Sequence, residues 1–85
     1  MTATGRYLAV FYEHFPSRNY EDPPWFVERP DLDFAGDYPD EVAAIINNTV
    51  DDYEAHDRWS TLSYEIIDQQ TEHRWLHVRE FIRDT

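Results

Sequence analysis

Arg6 to Phe15 reads RYLAVFYEHF, and this stretch decides what kind of fold the chain can adopt. Ten residues dense in aromatic and branched side chains, with no breaker inside them and Pro16 directly after, predict a β-strand. Side chains alternate across a strand, so Tyr7, Ala9 and Phe11 share one face and Leu8, Val10 and Tyr12 the other. Both faces are apolar, so neither looks built for water. Everything downstream has to supply something to lay against this strand.

The next two dozen residues look irregular. Residues 19–38 are interrupted by Pro23, Pro24, Pro30 and Gly36 and are crowded with acids, which predicts a long loop. Asp37 and Asp40 stand at N-cap and N3 spacing around Pro39, so a helix is expected to begin near Pro39 and to end near Arg58. At about 100° per residue, Val42, Ile45, Ile46, Thr49, Val50 and Tyr53 fall on one arc of that helix. Asp40, Glu41, Asn47, Asn48, Asp51, Asp52 and Glu54 fall on the opposite arc. Two more strands are expected, Ser60 to Asp68 and His73 to Ile82, joined by Gln69 to Glu72 in a turn longer than two residues.

The resulting expectation is one α+β domain over residues 1–85, in the order β, long loop, α, β, β: a three-stranded, mostly antiparallel sheet with one helix on one face. A single helix leaves the other face, with Trp75 and Phe81, in need of a cover. Trp25, Phe26, Leu32 and Phe34 are the large apolar groups left to provide it, and burial of such a side chain contributes roughly 1.5–3 kcal/mol. The other reading of these loop aromatics is that they stay partly exposed as a partner site or dimer seam.

Eighty-five residues with 41% hydrophobic and 16% aromatic content fit one small core. A chain of this size buries only about 60% of the surface its unfolded form exposes, so a partner or a second copy would help it. It has no cysteine, which removes disulfides, thiolate metal sites and a cysteine nucleophile. Met1 to Arg6 is polar and the nearest apolar run is short, so the expectation is a cytoplasmic chain without membrane association.

Chemistry finds little to hold. Asp31, Asp33 and Gly36 match three positions of a calcium loop, but Ala35 and Val42 stand where further ligands belong. His73 and His77, read as strand residues, would lie about 13 Å apart, too far to share one metal. No nucleophile elbow, phosphate loop or metalloprotease pattern is present, so neither catalytic residues nor a cofactor is expected.

The charge is more informative. Seven arginines, no lysine and eighteen acids give −11. Residues 19–57 hold twelve of the acids against one base, Arg29, which accounts for the whole −11, while the rest of the chain is neutral. Acidity for solubility alone would be spread more evenly. A chain of this charge repels nucleic acid itself, and instead fits the basic groove of a nucleic-acid-binding protein, where its carboxylates stand in for phosphates. Glu21, Asp22, Asp31, Asp33, Asp37, Asp40, Glu41, Asp51, Asp52 and Glu54 are the expected partner-binding acids, with Trp25 and Phe26 as apolar anchors. In composition, though in no motif, the chain resembles small acidic phage proteins that block CRISPR or restriction complexes. The competing expectation is an assembly protein, such as a homodimer paired through its aromatic sheet face, whose acidity serves solubility or salt adaptation.

Overall fold

The computed structural model describes residues 5–16, 25–56 and 60–85. Its elements are β1 (Tyr7–Phe15), β2 (Trp25–Glu28), β3 (Phe34–Gly36), α1 (Pro39–His56), β4 (Thr61–Asp68), β5 (Arg74–Trp75) and α2 (Val78–Asp84). The result is an α+β fold with a five-stranded antiparallel sheet and two helices, the longer of them packed on the sheet.

β1 is the axis of the sheet. On one side it pairs along most of its length with β4, from Tyr7 opposite Asp68 to His14 opposite Thr61. On its other side two short strands share the edge: β3 runs along Tyr7 to Ala9, and β2 along Tyr12 to Phe15. The expected loop therefore contains two strands, and the expected three-stranded sheet has five. Pro30 and the acids do forbid one long strand there, but they sit in the link between two short ones. That link is a tight turn in which Leu32 N–H donates to the Arg29 carbonyl and Asp33 N–H to that of Pro30. Where the ladder is interrupted, the Asp33 carboxylate substitutes for a strand, accepting the Phe11 N–H at 2.9 Å while the Arg29 N–H donates to the Phe11 carbonyl.

The core lies on one face. Tyr7, Ala9 and Phe11 of β1, Leu62 and Ile66 of β4, and Val42 and Ile46 of α1 are all buried. Trp75 and Phe81 join them, packed edge-on to Tyr7 and to each other. This corrects two expectations. Residues 73–82 are not one strand, and Trp75 and Phe81 do not lie on an uncovered face. In LHVREFIRD the apolar residues fit a period of two as well as a helical one, and tertiary contacts settle the choice. The Tyr64 hydroxyl of β4 accepts the first N–H of α2, that of Val78, at 3.0 Å, and Glu80 and Arg83 complement the helix ends. His73 thus precedes β5 and His77 stands at the residue before α2, without a side-chain capping bond, instead of sharing a strand face with it.

Two polar locks fix the strand ends. Arg6 holds the buried Asp68 through Nε and Nη2, with Nη2 to Oδ2 at 3.0 Å, and Asp68 also accepts the Gln70 and Thr71 N–H groups at the start of the β4–β5 turn. The Arg6 hydrogen bond, helped by those turn N–H groups, holds the Asp68 carboxyl down at about 2. Gly5, at φ +143°, lies against Gly36, and a Cβ there would come within 2.6 Å of the Gly36 nitrogen.

Candidate functional site

α1 begins at Pro39 as expected, with Asp40 and Glu41 in its first turn, where the helix dipole favours acids. Asp37 does not serve as its cap in the expected way: one residue too early, its carboxylate accepts the Arg6 backbone N–H at 2.9 Å and fastens the helix entry to β1. Val42, Ala43 and Ile46 are buried, and Asp40, Glu41, Asn47, Asn48, Asp51, Asp52 and Glu54 are exposed. The amphipathic division read from the sequence holds, apart from Ile45. That residue was expected on the buried arc and is 45% exposed, because adjacent helix positions lie about 100° apart and Ile46 takes the inward place.

The expected acids separate into two groups. Asp31 is paired with Arg29 at 2.8 Å, whose hydrogen bond holds it below the ordinary carboxylate range, and Asp33 is spent on the Phe11 N–H. These two serve the β2–β3 link. Asp40, Glu41, Asp51, Asp52 and Glu54 line one exposed helix face, and among the described residues no arginine pairs with any of them. The arginines answer other acids: Arg6 on Asp68, Arg74 on Glu65, Arg83 on Asp84, and Arg29 on Asp31 and Glu13. Asp52 has His56 Nδ1 at 3.8 Å. Glu21 and Asp22 lie outside the described residues.

Asp51, Asp52 and Glu54 stand in the last two turns of α1, near the negative end of the dipole and near one another. Acids there work against the helix. Folding does not call for them.

The loop aromatics divide too. Leu32 and Phe34 pack on the core, Phe34 stacked 6.3 Å from Phe11, but this is the core on the α1 side of the sheet and not the opposite face they were expected to cover. Trp25 and Phe26 are 54% and 61% exposed and cover nothing of the kind. Trp25 stacks on Phe15 at 4.2 Å; Phe26 stacks on His14 at 5.6 Å and meets Tyr12 edge-on. Being consecutive in β2, they face opposite sides of the sheet, so they do not form one anchor beside the acids.

A different apolar patch adjoins the acidic face. Between the β2–β3 link and α1 runs a groove of about 570 Å³ lined by Arg29, Leu32, Ile45, Asn48, Asp52 and Tyr53. Two of its lining residues, Arg29 and Tyr53, are held by Glu13, whose Oε2 accepts Arg29 Nη1, Ser60 Oγ and the Tyr53 hydroxyl, joining β1, α1 and the approach to β4. The doublet Ile45–Ile46 was the available signal: with Ile46 at the centre of the buried arc, Ile45 lies about 100° away, at its edge. Among the described residues, no three His, Asp or Glu side chains gather as a metal centre would need, and no helix is long and apolar enough to cross a membrane.

Comparison with protein-family models, with curated proteins and with solved structures finds no match.

Proposed function

We propose that the chain is a small acidic protein-binding module, an inhibitor or adaptor that engages a basic nucleic-acid-binding protein through the outer face of α1. The observation that carries this reading is the set of exposed carboxylates from Asp40 to Glu54, unmatched by any described arginine and partly placed where they weaken their own helix. The span covers fourteen steps of about 1.5 Å, roughly 21 Å, the axial length of about six phosphates along one DNA strand. Carboxylates over that length steer an arginine- and lysine-lined groove toward the helix and compete with nucleic acid for it. Charge alone gives little affinity once screened, and the groove of Leu32, Ile45 and Tyr53 offers a place to desolvate an apolar side chain of the partner. Inhibition of the anti-restriction or anti-CRISPR kind works through such occlusion.

The test is affinity capture from a lysate of the source organism at low ionic strength, using the wild-type chain beside Asp51→Lys/Asp52→Lys/Glu54→Lys. The reading expects wild type to retain a basic nucleic-acid-binding protein that elutes as salt rises, and the reversed helix to lose it by at least tenfold. Equal retention by both chains, or a partner indifferent to salt, contradicts it.

A further inference from the structure

The exposed acids of α1 do not form one even face. Taken from Ile45 at about 100° per residue, Glu41 and Asp52 lie within about 40° of it, whereas Asp40, Asp51 and Glu54 lie about 120–180° away. Two stripes result, one beside the groove and one on the far flank. The groove-side stripe reads acid, apolar, acid: Glu41, Ile45 and Asp52, with axial gaps of about 6 and 10 Å. Ile45 is 45% exposed, and with Leu32 and Tyr53 it makes the apolar part of the groove. Arg29, the base in the lining, is already held by Asp31 at 2.8 Å and by Glu13 at 3.3 Å. Among the described residues no arginine pairs with Glu41 or Asp52. Asp52 has His56 at 3.8 Å, but both side chains are mostly exposed, and a guanidinium outcompetes such a contact.

Resting on the preceding reading, we propose that the element of the basic partner seated here is an amphipathic α-helix, laid antiparallel along α1, with an apolar side chain in the groove and an arginine or lysine on either side of it. Charge complementarity fixes the sign of the occupant. Two carboxylates without an arginine flank an apolar seat, and they repel a second copy of the same stripe, an anionic lipid surface or a nucleic acid. The straightness of the stripe fixes the occupant's shape. Three groups in line over about 17 Å of helix, four and seven residues apart, are met by a second helix at a shallow crossing angle, whose own side chains recur at the same intervals. Direction follows from the dipoles, since an antiparallel helix sets its positive N-terminal end beside Asp52 and the negative end of α1. Along the partner the pattern is base, apolar residue, base at positions i, i+7 and i+11. Asp40, Asp51 and Glu54, on the far flank, speed the encounter without touching this helix.

The test is fluorescence anisotropy of a labelled, alanine-based helical peptide titrated with the full chain at about 0.15 M ionic strength, where charges more than about 8 Å away are screened. The peptide carries arginine at i and i+11 and leucine at i+7; its control has the leucine moved two residues, onto the opposite helix face. Wild type is expected to bind the first peptide about tenfold more tightly than the control. Ile45→Ala, at a side chain already half in solvent, should erase most of that difference. Two matched pairs separate the stripes, because Glu41→Gln/Asp52→Asn and Asp40→Asn/Asp51→Asn each neutralise one acid of the first turn and one later acid. The first pair should weaken binding of the peptide several-fold, and the second by less than about twofold. Equal binding of the two peptides, equal loss from the two pairs, or no binding at about 1 mM chain overturns the proposal. A basic partner captured by wild type and lost on Asp51→Lys/Asp52→Lys/Glu54→Lys, together with equal loss from both pairs, keeps the preceding reading and overturns this one.

Discussion

Consecutive residues of β1 face two different environments. Tyr7, Ala9 and Phe11 lie under α1 and α2 at 6% exposure or less, while Leu8, Val10 and Tyr12, just as apolar, have no described element over them. The helices close one face completely, with two ring-on-ring contacts to Phe81 and a hydrogen bond from Trp75 Nε1 to Asp84 Oδ2 at 2.9 Å. An apolar strand face therefore does not by itself report a core.

Truncating one aromatic on each face should have very different effects. Phe81→Ala empties a fully buried position and should cost about 3–5 kcal/mol, seen as loss of most of the fold's stability in urea. Phe26→Ala should cost under about 0.5 kcal/mol, since that side chain is mostly exposed. Similar losses at both sites would mean that the second face is covered within one chain.

Next in size is the lock at the sheet corner. Asp68→Asn should destabilise by about 2 kcal/mol, moderated because Arg6 is partly exposed. Because Asp68 is held at about 2, below its unfolded value near 3.8, its contribution is present above pH 4 and is lost as pH falls toward 2. Thermal melts from pH 5 to pH 2 should therefore show a larger fall for wild type than for Asp68→Asn. A smaller effect is expected at the ladder gap, where Asp33→Ala leaves the Phe11 N–H without its acceptor and costs about 1–2 kcal/mol by denaturant titration. Smallest, and of opposite sign, is the helix end: Asp51→Lys/Asp52→Lys/Glu54→Lys should leave the melting temperature unchanged or raise it by a few degrees, since it relieves repulsion and complements the dipole. A marked fall would mean that those acids serve the fold.

The parts legible in the sequence were those whose pattern is local. β1, the start of α1, its acidic arc and β4 are each written in a run of their own residues. β2 and β3 were not, because three or four residues next to Pro30 have no period to read; β1 makes them strands by offering its free edge. Residues 78–84 form a helix rather than a strand through the Tyr64 hydroxyl and the pocket that Phe81 enters, neither of which is visible in the local spacing. For the site, the exposed acids of α1 were readable from helical period alone. That Asp31, Asp33 and Asp37 are spent on Arg29, Phe11 and Arg6 was not, since each bond depends on how distant segments meet. Trp25 and Phe26, grouped as anchors by composition, are separated by strand alternation once β2 exists.

On the proposed reading, the exposed carboxylates of α1 occupy the place of nucleic-acid phosphates on a basic partner. Its most direct measurement is displacement: a fluorescent nucleic acid bound to the captured partner, titrated with this chain and followed by anisotropy. Wild type is expected to release the nucleic acid and the Asp51→Lys/Asp52→Lys/Glu54→Lys chain to leave it bound. Nucleic acid that stays bound while wild type saturates the partner would contradict it, for the two would then occupy different sites.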